Sequence, residues 1–244
     1  MMEMIKKNWG KIVLTSAVVL AASLAGGYGW VMPVVMLAAH LLCLLSAFGD
    51  KRIHTQSRKA LDILFWIMPV GSVLLAVISR ISESGADDDL ASLIMDCGLG
   101  LLFLIMGNYM PKFRQNGVIG IRVKWTLENE ENWAMTHRFA GKCLMIAGCC
   151  CILFAFLPLG MAGDLLCMAA ILIAVLIPGI YSWRYYKRQL QSGKVEKKPV
   201  SQKALIRGSI FAAVIIIFSV WVLFTGSMHM VYDKESFTIE TPDW

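Results

Sequence analysis

His40 and Asp96 fall within long apolar runs of this 244-residue chain, His40 near the middle of one and Asp96 inside another. An ionisable group in hydrocarbon is costly, so each marks either a hydrogen bond facing a helix bundle or an ion or proton path. His137 and Glu130 pair an imidazole with a carboxylate, but seven residues along a helix separate them by roughly 10 Å. Met228, His229 and Met230 are soft ligands of the kind copper accepts, yet a single tripeptide is more simply read as interfacial packing. Cys149, Cys150 and Cys151 are consecutive and would point in three directions on a helix, so they cannot converge on one metal. The seven cysteines, all in apolar runs and without a CxxC pair, read as small, buried, reduced side chains. There is no HExxH, no phosphate-binding glycine loop and no nucleophile beside a base. The chemistry expected of the chain is therefore not catalysis, and no cofactor or metal is implied.

The elements that would carry these residues are membrane helices. The chain is 57% hydrophobic and 16% charged, with a mean hydropathy of +0.64, against about 45–50% and about 25% for soluble domains. A span needs about 20 mostly apolar residues. Seven stretches qualify: 9–25, 30–48, 60–78, 90–110, 139–157, 165–183 and 205–225. The first follows Lys6 and Lys7 like a secretory signal, but another apolar run follows after only Gly26, Gly27, Tyr28 and Gly29, which suits a tight helical hairpin. All of the 23 Lys and Arg residues except Arg80 and Lys234 fall on one side of this arrangement. Basic loops are cytoplasmic, so the N-terminus is expected inside and the C-terminus outside. The same asymmetry accounts for the net charge of +6 without nucleic acid. Trp9, Trp30, Trp183, Tyr185 and Tyr186 suit interfacial positions, and Pro33, Pro69 and Pro178 predict kinks. Asp87, Asp88 and Asp89 form an outer acidic run, and His54 belongs to a basic, solvated loop.

The loop between the fourth and fifth spans, 107–142, differs from the others. Pro111 ends a helix. From Val118 to Trp125 the residues alternate, with Ile119, Ile121, Val123 and Trp125 on one side, which predicts a strand-like segment. Thr126 is placed to cap a following helix, with Glu128, Glu130 and Glu131 in its first turn. Trp133, His137 and Gly141 then share one face. By these patterns alone the segment is an amphipathic connector on the inner leaflet, with Arg122 and Lys124 near lipid phosphates.

The same segment resembles the signature of the SdpI family of bacterial multi-pass membrane proteins. The matching residues are Gly107-Asn108, Asn116, Gly120-Ile121-Arg122, Trp125-Thr126-Leu127, Glu130, Trp133, His137 and Gly141, and the resemblance extends loosely from the N-terminus to about Arg188. It implies immunity against a secreted peptide toxin. It also implies signal transduction, in which a small helix-turn-helix autorepressor is held at the membrane. Asn108, Asn116, Gly120, Arg122, Trp125, Thr126, Glu130, Trp133 and His137 become the candidate site for a partner. The chain departs from the family where Gly26–Gly29 replace a sizeable outer loop, where Gly117 replaces a bulky residue, and where Lys124 replaces proline.

The expected fold is all-α, a polytopic transmembrane bundle of about seven spans. Residues 1–188 form a six-helix family region, 189–204 a basic linker, 205–226 an additional helix and 227–244 an outer tail. The expected partners are the lipid bilayer, a peptide toxin outside and a repressor inside, with no direct contact to nucleic acid. A small transporter or proton-permeation protein using Asp96 and His40 is the alternative.

Overall fold

A computed structural model describes residues 2–27, 29–85, 88–159 and 161–193. Seven α-helices follow in order: α1 (Met2–Ala25), α2 (Val31–Phe48), α3 (Arg58–Glu83), α4 (Asp88–Tyr109), the short α5 (Lys124–Glu128), α6 (Glu130–Ala155) and α7 (Met161–Gln191). A 3-10 turn, Lys51–Thr55, joins α2 to α3, and another, Met110–Lys112, ends α4. All but α5 are long and apolar enough to cross a membrane, and the chain is a multi-pass helical membrane protein. The expected seventh span, most of the basic linker, the tail and Met228-His229-Met230 lie outside the described residues.

The helices form two groups. α1, α2 and α3 pack on one another; α4, α6 and α7 do the same, with α3 against α4 joining the groups. Large apolar side chains such as Leu24, Val34, Trp66, Leu101, Ile146 and Leu176 remain exposed, as expected where lipid rather than water is the neighbour. In the first group α1 is held to α3 at both ends. Lys11, whose ammonium lies 5.9 Å from the Phe65 ring centroid, pairs with Asp62. At the other end Arg80 donates through Nε to the Ala25 carbonyl, and Ser79 donates to the Gly26 carbonyl at 2.7 Å. The last carbonyls of a helix have no partner within it, so Arg80 is used as a clamp on the end of α1. Gly27 and Gly29, in the connection between α1 and α2, take φ of 76° and 68°, and α1 and α2 pack on each other as a helical hairpin requires. Pro33 falls in the first turn of α2, where no helical N–H is lost.

In the second group α4 and α6 cross with their backbones in contact. A Cβ added at Gly107 would lie 2.7 Å from the Gly141 carbonyl oxygen, and one at Gly148 would lie 2.6 Å from that of Gly100. Two glycine pairs, about two helical turns apart, thus set the distance of this crossing, the small-residue packing that membrane helices use when no hydrophobic force drives them together. α7 packs along α6, and Cys151 of α6 is joined to Cys167 of α7 as a disulfide. This corrects the expectation that every cysteine is reduced. Cysteines sixteen residues apart in sequence meet only because the antiparallel hairpin folds back on itself.

Candidate functional site

The strand-like reading of 118–125 is not what forms. Residues 113–123 are irregular, no strand occurs among the described residues, and a strand without a neighbour has no ladder to satisfy its N–H and C=O groups. Side chains do that work instead. The fully buried Asn116 accepts from Val118 N and Ile119 N, both at 2.8 Å, and donates to the Arg114 carbonyl. Ile121 N donates to His137 Nε2 at 3.1 Å. A backbone N–H can only donate, so Nε2 accepts. His137 therefore carries its proton on Nδ1, which donates to the Trp133 carbonyl at 2.8 Å. Both ring nitrogens are engaged, and Glu130 is exposed, so the two do not form an acid–base pair.

Thr126 is not an N-cap. It is the third residue of α5, and its hydroxyl faces the Ile121 and Val123 carbonyls and accepts from Val123 N at 3.2 Å. The cap of α6 is Asn129, whose side chain accepts from Asn132 N at 2.8 Å. Of the three acids expected in the first turn, Glu130 and Glu131 are there and Glu128 belongs to α5. Trp133, His137 and Gly141 do share a buried face. Trp133 donates through Nε1 to the Phe113 carbonyl at 2.8 Å and stacks on His137 with centroids 3.9 Å apart. Gly120, at φ +106°, presses so closely on His137 that any Cβ there would meet the imidazole.

The alternation in the sequence does have a counterpart. Val118 enters the apolar core of the first helix group, beside Phe48, Ile53 and Phe65. Ile121 packs into that of the second, beside Met110, Phe113 and Ala140, and Ile119 touches both. The loop is a wedge between the groups. Arg122 donates through a guanidinium NH to the Gly117 carbonyl at 2.9 Å. Burial pulls its pKa below the usual guanidinium range.

Sequence reasoning missed the residues that hold this wedge. Gln56, in the α2–α3 connection, grips Arg114 twice, donating to its carbonyl at 2.8 Å and accepting from its N–H at 3.0 Å. Gln115 donates to the Thr126 and Leu127 carbonyls at 2.7 and 3.0 Å and accepts from Arg52 at 3.2 Å. Asp50 accepts from Gly117 N. On the other flank Trp125 Nε1 donates to Ser182 Oγ at 2.9 Å, and Ser182 donates in turn to Asn132 Oδ1 at 2.9 Å. Thr136 also donates to Asn132 Oδ1, at 3.0 Å. Glu131 accepts from Tyr185 and Gln189 of α7. The available signal was polar side chains, such as Ser182, inside otherwise apolar helices.

Asn108 stands apart from this network, exposed and accepting from Lys112 at 3.3 Å. His40 and Asp96 are not drawn into it either. The buried His40 donates through Nε2 to Thr15 of α1 at 3.1 Å, since the Thr15 proton goes to the Lys11 carbonyl at 2.8 Å. Asp96 is buried on α4, whose main neighbours are α6 and α3. They belong to different helix groups.

The wedge and its two flanks run from the end of α4 to Ser182, and residues 112–182 match the model of the SdpI/YfhL protein family. Over this segment the chain is similar to the SdpI/YfhL family. It is also 29% identical over 163 residues to the immunity protein SdpI of Bacillus subtilis (strain 168), an alignment covering 65% of this chain and 74% of that one. No solved structure matches it. In SdpI-family terms the match follows tertiary contacts: it begins at Lys112 and ends at Ser182, the residue that receives Trp125 and Asn132.

Proposed function

We propose that this membrane protein is of the SdpI family and confers immunity, protecting the cell that carries it from a secreted peptide toxin met on the outer side. The observation that carries this reading is its similarity, across 163 residues, to a protein named for immunity. The basic loops between α2 and α3, between α4 and α6 and after α7 face the cytoplasm, with the N-terminus, and the C-terminus lies outside. The wedge then reports the state of the bundle to a cytoplasmic regulator, a small helix-turn-helix repressor held at the membrane. Within this reading the signature residues divide by exposure. Asn116, Thr126, Trp133 and His137 are buried and shape the wedge. Asn108 and Glu130 are exposed and are the ones a partner can touch.

The test is a challenge assay. A sensitive strain expressing the chain is exposed to the toxin encoded near its gene, and survivors are counted against an empty vector. Protection, with a repressor recovered in the membrane fraction only when toxin is present, is the expected result. Equal killing with and without the chain would overturn the immunity reading. A repressor that stays soluble under toxin would overturn the signalling part alone.

A further inference from the structure

The α6–α7 hairpin is fastened at its two ends by different chemistry. At the end near the basic loops the fastening is polar, through Trp125, Asn132 and Ser182. Toward the other end it is Cys151 and Cys167, with Cα atoms 4.8 Å apart and side chains 0% and 2% exposed. That separation lies inside the range a disulfide spans without backbone movement. Cys151 stands about 6 Å from the end of α6 at Ala155, and Cys167 about 9 Å from the start of α7 at Met161, at 1.5 Å per residue. Cys43, in the half of α2 nearer the basic loops, Cys143, at the middle of α6, and Cys97, Cys149 and Cys150 are unpaired. The disulfide lies in the half of the bundle remote from the basic loops. Disulfides persist in oxidising compartments outside the cytoplasm, so sulfur chemistry and charge asymmetry select the same outer face independently.

We propose that the Cys151–Cys167 disulfide is an extracytoplasmic staple, formed by oxidation outside the cytoplasm before the hairpin finishes packing, that locks the outer end of the α6–α7 hairpin. The oxidant is the disulfide of an extracytoplasmic thiol–disulfide oxidase. One cysteine thiolate attacks that disulfide, forming a mixed disulfide and releasing one oxidase thiol. The second cysteine thiolate attacks the mixed disulfide, forming the Cys151–Cys167 bond and releasing the other oxidase thiol. Two electrons and two protons pass from the cysteine pair to the oxidase. Because both sulfurs end up buried, the exchange precedes final packing of the hairpin. The staple rests on the orientation proposed above, and the two are separable by experiment.

Spheroplasts making the full chain are quenched with acid, denatured and alkylated with and without reductant, and each cysteine is scored by peptide mass spectrometry. Cys151 and Cys167 should resist alkylation until reductant is added, while Cys143 is alkylated in both arms. A membrane-impermeant phosphine present during synthesis should leave the pair alkylatable, and should speed protease cleavage in the 156–159 connection on the order of tenfold. A phosphatase reporter inserted in that connection measures orientation separately and should be active. Free thiols with an active reporter would overturn the staple and leave the orientation standing. A linked pair with an inactive reporter would overturn the outer location. An unchanged cleavage rate after the phosphine has freed the pair would overturn its locking role.

Discussion

Gly120 and His137 show how little freedom single residues have in the wedge. Gly120 holds φ at +106° with no room for a Cβ beside the imidazole. Gly120→Ala therefore combines a strained backbone with a clash. It is expected to cost on the order of 1–3 kcal/mol, read as a lowered thermal midpoint of the protein in detergent; an unchanged midpoint would refute this packing. His137→Phe separates the two duties of the imidazole. The phenyl ring keeps the stack on Trp133, but Ile121 N–H loses its acceptor in a buried place. The cost of an unsatisfied donor is about 1–3 kcal/mol. His137→Phe should therefore be destabilised despite its retained bulk, and hydrogen exchange at Ile121 should quicken while that of α7 does not.

At the scale of elements, the α4–α6 crossing rests on two pairs of glycines and the α6–α7 pairing on a buried polar cluster. Gly148→Leu should force α6 away from α4 and leave little monodisperse protein on size exclusion, with Gly148→Ala losing less because one methyl asks for a smaller shift. A monodisperse Gly148→Leu protein of unchanged midpoint would refute the close crossing. Asn132 and Ser182 share two hydrogen bonds, Ser182 Oγ to Asn132 Oδ1 and Asn132 Nδ2 to the Ser182 carbonyl at 3.1 Å. Truncating both to alanine should cost less than the sum of the single changes, with a coupling of about 0.5–3 kcal/mol for residues in one network. Strict additivity in the thermal midpoints would mean that the contact is not made. Asn132 precedes Trp133 in a run of acids and amides, and nothing in that run distinguishes it from a solvated residue. Its role appears only when α7 folds back and supplies Ser182.

At the scale of the molecule, two three-helix groups meet through α3 against α4 and through the wedge, which Gln56 holds by both backbone groups of Arg114. Gln56→Leu removes the donor and the acceptor together and leaves both backbone groups of Arg114 to find other partners. Membrane insertion depends on the apolar spans and should persist. Survival in the toxin challenge should fall, because the two groups no longer share a fixed wedge. Full protection by Gln56→Leu would show that the connection between the groups is not needed for immunity.

Membrane helices were legible from the residues alone because lipid imposes one requirement, about 20 apolar residues in a row, that each segment meets by itself. The 26–29 hairpin was legible for a similar reason, since glycines in a short connection admit few alternatives. The importance of 107–142 was also visible, through fixed spacings such as Trp133, His137 and Gly141 on one helical face. The form of that segment was not. Alternation of apolar residues ordinarily means a strand, but here it records two separate cores taking Val118 and Ile121 in turn. Backbone groups that a sheet would have paired are instead met by Asn116, Thr126 and His137. Thr126 as against Asn129 for the cap, the pairing of Cys151 with Cys167 and the grip of Gln56 on Arg114 were likewise decided by tertiary structure. Each depends on which distant group arrives at hydrogen-bonding or bonding distance, and that is a property of how the helices pack rather than of any one stretch of chain.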